Sequence, residues 1–78
     1  MEIPLVKENA GEILRIEREK RGLSQVSLAS KMGLKSSQHL WNIEHGANSL
    51  TLEMIDQASK ALGISPDIFL RNKVKQNI

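Results

Sequence analysis

Four glycines punctuate this chain. Gly22, Gly33, Gly46 and Gly63 each follow a stretch whose apolar residues recur every three or four positions, and Ser24, Ser36, Thr51 or Ser65 stands shortly after each one. Glycine suits the left-handed position that closes a helix, and serine or threonine oxygens accept the orphan amides of the next first turn. The pattern predicts helices over about 8–21, 25–32, 37–45 and 52–62. A fifth opens with Pro66 at its first position and runs to about 71–74. Apolar–polar alternation never persists beyond four residues, so no strand is expected. The expected fold class is all-α, five short helices around one small core. That core is drawn from Leu14, Leu23, Leu28, Ala29, Met32, Leu34, Leu40, Ile43, Leu52, Ile55, Ala58, Leu62, Ile64 and Phe69.

With 78 residues the chain is sized for a single domain over 1–78, its core over 8–72, with residues 47–50 as a loop and residues 1–7 and 75–78 frayed. Cysteine is absent, which removes disulfides and thiolate metal sites. The two histidines, His39 and His45, are six apart, a poor spacing for one helix face, and no carboxylate cluster joins them, so neither a metal nor another cofactor is expected. No apolar run approaches the ~20 residues that span a bilayer, and Met1 to Lys7 is too short and charged for a signal peptide. A cytoplasmic protein with no membrane partner is the expectation.

The net charge is +2. Residues 1–35 carry seven Lys or Arg against five acids, residues 36–70 carry only Lys60 against four acids, and Arg71, Lys73 and Lys75 close the chain. A mild basic excess is a weak pointer to an anionic partner.

The order of motifs says more. Arg18, Gly22-Leu23-Ser24-Gln25, Leu28-Ala29, Gly33, Ile43-Glu44-His45-Gly46 and Leu62-Gly63-Ile64-Ser65 follow one another through residues 10–70. Together they resemble the Xre/Cro/cI-type helix-turn-helix family, the phage-repressor-like DNA-binding proteins. The resemblance implies a lambda-repressor-like domain whose helix-turn-helix is formed by residues 25–32 and the recognition helix 37–45. The spacing from Gly33 to Gly46 is one residue longer than the commonest family spacing, and the extra residue falls in the turn at Leu34-Lys35.

Positions 37, 38, 41 and 42 share one face of the third helix, opposite Leu40 and Ile43. Glutamine and asparagine both donate and accept, so they pair bidentately with adenine in the major groove. Ser37, Gln38, Trp41 and Asn42 are the expected base-contacting residues. For Trp41 two roles stand side by side: pressing on a thymine methyl or sugar, or covering the seam between the first and third helices. The resemblance implies that Gln25 donates to a phosphate and braces the first recognition residue, and Ser36, His45, Asn48, Ser49 and Thr51 join it as expected phosphate contacts. It also implies an ion pair between Arg18 and Glu44 that fixes the recognition helix. The loop Ala47–Thr51, usually basic in the family, carries no charge here. Leu70 and Val74, four apart on a fifth helix, are the expected seed of a dimer contact.

No nucleophile is paired with a base, no glycine loop cradles a phosphate and no carboxylate pair marks a pocket, so an enzyme is not expected. The resulting expectation is a sequence-specific DNA-binding transcriptional regulator, a repressor, acting as a homodimer on double-stranded DNA. The alternative is a helical module of the same fold that binds a protein partner, a toxin or another regulator, rather than DNA.

Overall fold

In the computed structural model, residues 2–74 are described, with side chains over residues 5–71. A strand β1 (Glu2–Val6) leads into α1 (Ala10–Lys20), α2 (Gln25–Met32), α3 (Ser37–Glu44) and α4 (Leu52–Leu62). A single 3-10 turn, Pro66–Phe69, follows, and a strand β2 (Leu70–Val74) pairs antiparallel with β1. The all-α fold class with its helix-turn-helix stands, and α2 and α4 have the expected limits.

Each predicted cap forms where the chain supplies it. Ser24, Ser36 and Thr51 accept the amide three residues on, at 3.0, 3.3 and 3.2 Å. At the end of α2, Gly33 adopts φ +75°, which a Cβ would strain. The reversal lets Leu34 N–H donate to Ala29 O at 2.9 Å and Gly33 N–H to Ser30 O at 3.1 Å. These two bonds close the helix and turn the chain towards α3 within four residues.

The core holds Leu14 from α1, Leu28, Ala29 and Met32 from α2, Leu40 and Ile43 from α3, Ile55, Ala58 and Leu62 from α4, and Phe69 from the 3-10 turn. Leu23, Leu34 and Ile64 pack against it half-buried. Leu52 does not belong to it: as the first residue of α4 it is 57% exposed, while Leu50, two residues earlier in the loop, is buried. The core thus begins before the cap, and Ala10, at the start of α1, is buried as well.

Two expectations about the ends of the chain are corrected. Residues 2–6 form a strand rather than a frayed end, and the fifth element is one 3-10 turn followed by a strand rather than a helix reaching 71–74. Val6 faces Leu70 across the ribbon, and both pack half-buried against the core. Leu70 and Val74 are therefore not a pair on an exposed helix. Leu70 is partly buried in its own protomer, and Val74 is opposite Glu2. Residues 75–78 lie outside the described residues. The ribbon also accommodates Pro4. Lys7 N–H donates to Phe69 O at 2.8 Å, so residues 5 and 71 form the next hydrogen-bonded pair, and Pro4 opposite Asn72 falls in a non-bonded pair, where its missing N–H costs the ladder nothing.

Candidate nucleic-acid interface

The recognition helix α3 is held at its C-terminal end by a buried polar knot. The Glu44 side chain is fully buried. Arg18 of α1 donates to it from Nε at 2.8 Å and from Nη2 at 3.2 Å, and Arg18 Nη1 donates to Leu23 O at 2.7 Å. Gln25 Nε2, at the start of α2, donates to Glu44 Oε1 at 2.9 Å. One carboxylate thus joins α1, α2 and α3, and among the described residues no buried side-chain nitrogen or oxygen is left without a partner. A buried carboxylate is tolerable only when so satisfied, and its yield is orientation more dependably than net stability.

A second device acts at the same place. Gly11 of α1 lies directly against the end of α3, and a Cβ there would collide with the Ile43 carbonyl oxygen. Glycine inside a helix is intrinsically unfavourable by about 1 kcal/mol relative to alanine, and close approach of the two backbones is the reason for it here. No sequence signal marks Gly11, because close approach between helices has no local pattern.

Leu40, Ile43 and Glu44 face inward, and Gln38, Trp41 and His45 are exposed on the other side, with Ser37 and Asn42 half-buried at its margins. This outer face is organised as two pairs, each four residues apart. Gln38 Nε2 donates to Asn42 Oδ1 at 3.0 Å. Among the described residues, Gln38 Oε1 and the Asn42 amide hydrogens have no side-chain partner. Beside them Trp41 stacks on His45, ring centroids 3.9 Å apart and planes inclined by 17°. Trp41 is 42% exposed, so it belongs to this outer face. The i,i+4 spacing of both pairs is legible in the sequence, but the pairings themselves depend on side-chain geometry that no local pattern specifies.

The expected phosphate-contacting residues divide into two sets. Gln25, Ser36 and Thr51 already have structural duties, the first on Glu44 and the others as caps of α3 and α4. His45, Asn48 and Ser49 are exposed around a groove between the start of α1 and the loop after α3. His39 lies elsewhere, beside Lys35, Thr51 and Glu53 in a groove under α4. Among the described residues no cluster of histidines and acids is fit to hold a metal ion, and no helix is long and apolar enough to cross a membrane.

Cation placement is uneven. Arg15 pairs with Glu19 at 2.8 Å, Lys60 with Asp56 at 3.0 Å, and Lys20 and Arg21 share Glu17 at 3.5 and 3.4 Å. Lys31 and Lys35, exposed at the end of α2 and in the turn, make no ion pair among the described residues.

The geometry has close counterparts. The restriction-modification controller protein C.AhdI from Aeromonas hydrophila is 34% identical, with a TM-score of 0.70 over 76% of this chain and 88% of that one. The clp gene regulator ClgR from C. glutamicum is 28% identical, with a TM-score of 0.74 over 86% of each chain. The P22 c2 repressor, solved in complex with a synthetic operator, is 28% identical, with a TM-score of 0.70 over 81% of this chain and 94% of that one. No curated protein matches the sequence significantly. The helix-turn-helix family profile matches residues 14–69, most of the chain and all of α2, α3 and α4, and the chain belongs to the Xre/cI-type helix-turn-helix family.

Proposed function

We propose that this protein is a sequence-specific DNA-binding transcriptional regulator, a repressor, that lays α3 in the major groove of double-stranded DNA. The observation that carries the reading is the outward face of α3. Hydrogen-bonding side chains line it, and the Arg18–Glu44–Gln25 knot and the Gly11 contact hold its far end rigid. Positioned amides of this kind discriminate bases by about 1–3 kcal/mol for each good bidentate pair. The relatives are regulators, and one of them was solved on an operator.

Gln38 and Asn42 read base edges, with Ser37 and Trp41 beside them. His45, Asn48 and Ser49 approach the phosphates, and Gln25, Ser36 and Thr51 bring their backbone and spare hydrogens to the same strand. The regulator acts as a homodimer in the cytoplasm, because one small module buries little surface on DNA and binds weakly. The contact between subunits is proposed at the β1–β2 ribbon, through the strand that carries Leu70 and Val74, and sedimentation of the chain truncated after Phe69 tests it: a dimer that survives the truncation excludes this contact. A second reading, a protein-binding module of the same fold, draws on the uncharged loop Ala47–Thr51.

Selection of bound sequences from a random duplex pool tests the proposal. A two-fold symmetric consensus with half-site centres about 34 Å apart is expected. Failure to enrich any sequence, with no salt-dependent retention on heparin, favours the protein-binding module.

A further inference from the structure

The last residue of the outer face, His45, is held in one orientation by two independent contacts. Its ring stacks on Trp41, and its Nδ1 lies 2.9 Å from the Trp41 carbonyl oxygen, which also accepts the His45 backbone N–H at 3.0 Å. A carbonyl oxygen only accepts, so Nδ1 carries the hydrogen. In a neutral imidazole the other nitrogen, Nε2, is then a bare lone pair. Among the described residues Nε2 has no partner, and the side chain is exposed. A lone pair repels a phosphate oxygen and accepts from an amino group, whereas a protonated Nε2 donates.

We infer that His45 meets a DNA phosphate only as an imidazolium, so that DNA binding takes up a proton at His45, and that Trp41 is the residue that positions the ring for it. The inference rests on the DNA-binding reading above. His45 is the C-terminal cap of α3. The charged groups around its groove are Glu8 and Glu12 at the start of α1, Arg15, tied to Glu19, and Glu44, tied to Arg18. The loop side contributes Asn48 and Ser49 and no charge. The recognition helix α3 contains no lysine or arginine, and its own histidine, His39, lies in the separate groove beside Lys35, Thr51 and Glu53. Protonation of His45 is therefore the way this helix gains a charge-assisted phosphate contact.

The test is the affinity of the full chain for two labelled duplexes, one selected from a random pool and one of mixed sequence, at about pH 5.5 and pH 8, the interval in which histidine changes charge. One linked proton tightens binding by as much as about tenfold per pH unit as the pH falls. A phosphate carries no sequence information, so both duplexes should show the same pH slope. The dependence on salt should steepen by about 0.9 per protonated subunit at the lower pH. His45→Gln should abolish the slope, and His39→Gln should keep it. Trp41→Ala should weaken binding more at pH 5.5 than at pH 8, whereas equal loss at both would make Trp41 a direct contact and remove its positioning role. Flat affinity in the wild type, an unchanged slope in His45→Gln, or tighter binding at high pH on the selected duplex alone overturns the inference. The last outcome would mean that Nε2 accepts from a base amino group. Absence of binding to any duplex at either pH is a separate result, which removes the DNA reading itself and this inference with it.

Discussion

Replacing Arg18 with alanine strands a carboxylate. Glu44 loses the guanidinium bonds at 2.8 and 3.2 Å and keeps only the Gln25 amide at 2.9 Å, while its side chain remains fully buried. Removing one partner of a buried pair costs about 3–5 kcal/mol. The reverse change is milder. Glu44→Ala leaves an Arg18 that is 12% exposed and still bonded to Leu23 O, free to swing its head into water, so the loss should stay within about 2–3 kcal/mol. A domain of this length has roughly 4–12 kcal/mol of stability in all. Each kcal/mol lowers the midpoint by about 4–8 °C, so Arg18→Ala should melt at least about 12 °C lower. Thermal unfolding of Arg18→Ala, Glu44→Ala and the double variant measures the coupling, and the double loss should be smaller than the sum of the single losses by about 1–3 kcal/mol. Additive losses below about 1 kcal/mol would refute the argument that this pair clamps α3.

Other outcomes follow from the same packing. Gly11→Ala gains helix propensity, about 1 kcal/mol, but drives a methyl into the Ile43 carbonyl. Overpacking of that kind costs about 1–3 kcal/mol, so urea titration should show a net loss, and a raised midpoint would mean that the two helices part easily. Leu50→Ala should destabilise by about 2–4 kcal/mol, whereas Leu52→Ala, at an exposed site, should stay within about 0.5 kcal/mol. Equal effects would mean that the core does not begin in the loop.

The helical frame was legible because its signals are local. Ser24 and Gly33 bracket α2, Thr51 and Gly63 bracket α4, and both helices have the expected ends. What escaped depends on partners distant in sequence. β2 becomes a strand because β1, nearly seventy residues earlier, supplies its ladder, and nothing local to Leu70–Val74 announces that. Periodicity counted Leu52 as core by continuing the apolar stripe of α4 to its first turn, where the helix points one residue out of the protein and Leu50 fills the space instead. At the interface, the residue types on α3 were readable, and so was the fitness of Arg18 for Glu44. Gln25 stands where the resemblance puts a phosphate donor, and one of its amide hydrogens goes to Glu44, a partner that only the packed arrangement of three helices discloses.

If the outer face of α3 reads base pairs, Gln38→Ala will alter what the protein selects. Gln38 lies on the surface with one side-chain bond, to Asn42, so its removal should leave the fold intact. Repeating the random-duplex selection with this variant should give the same consensus except at one position per half-site, where preference relaxes, with affinity for the original sequence down by about 1–3 kcal/mol. An unchanged consensus and unchanged affinity in a normally folded variant would mean that Gln38 does not touch a base.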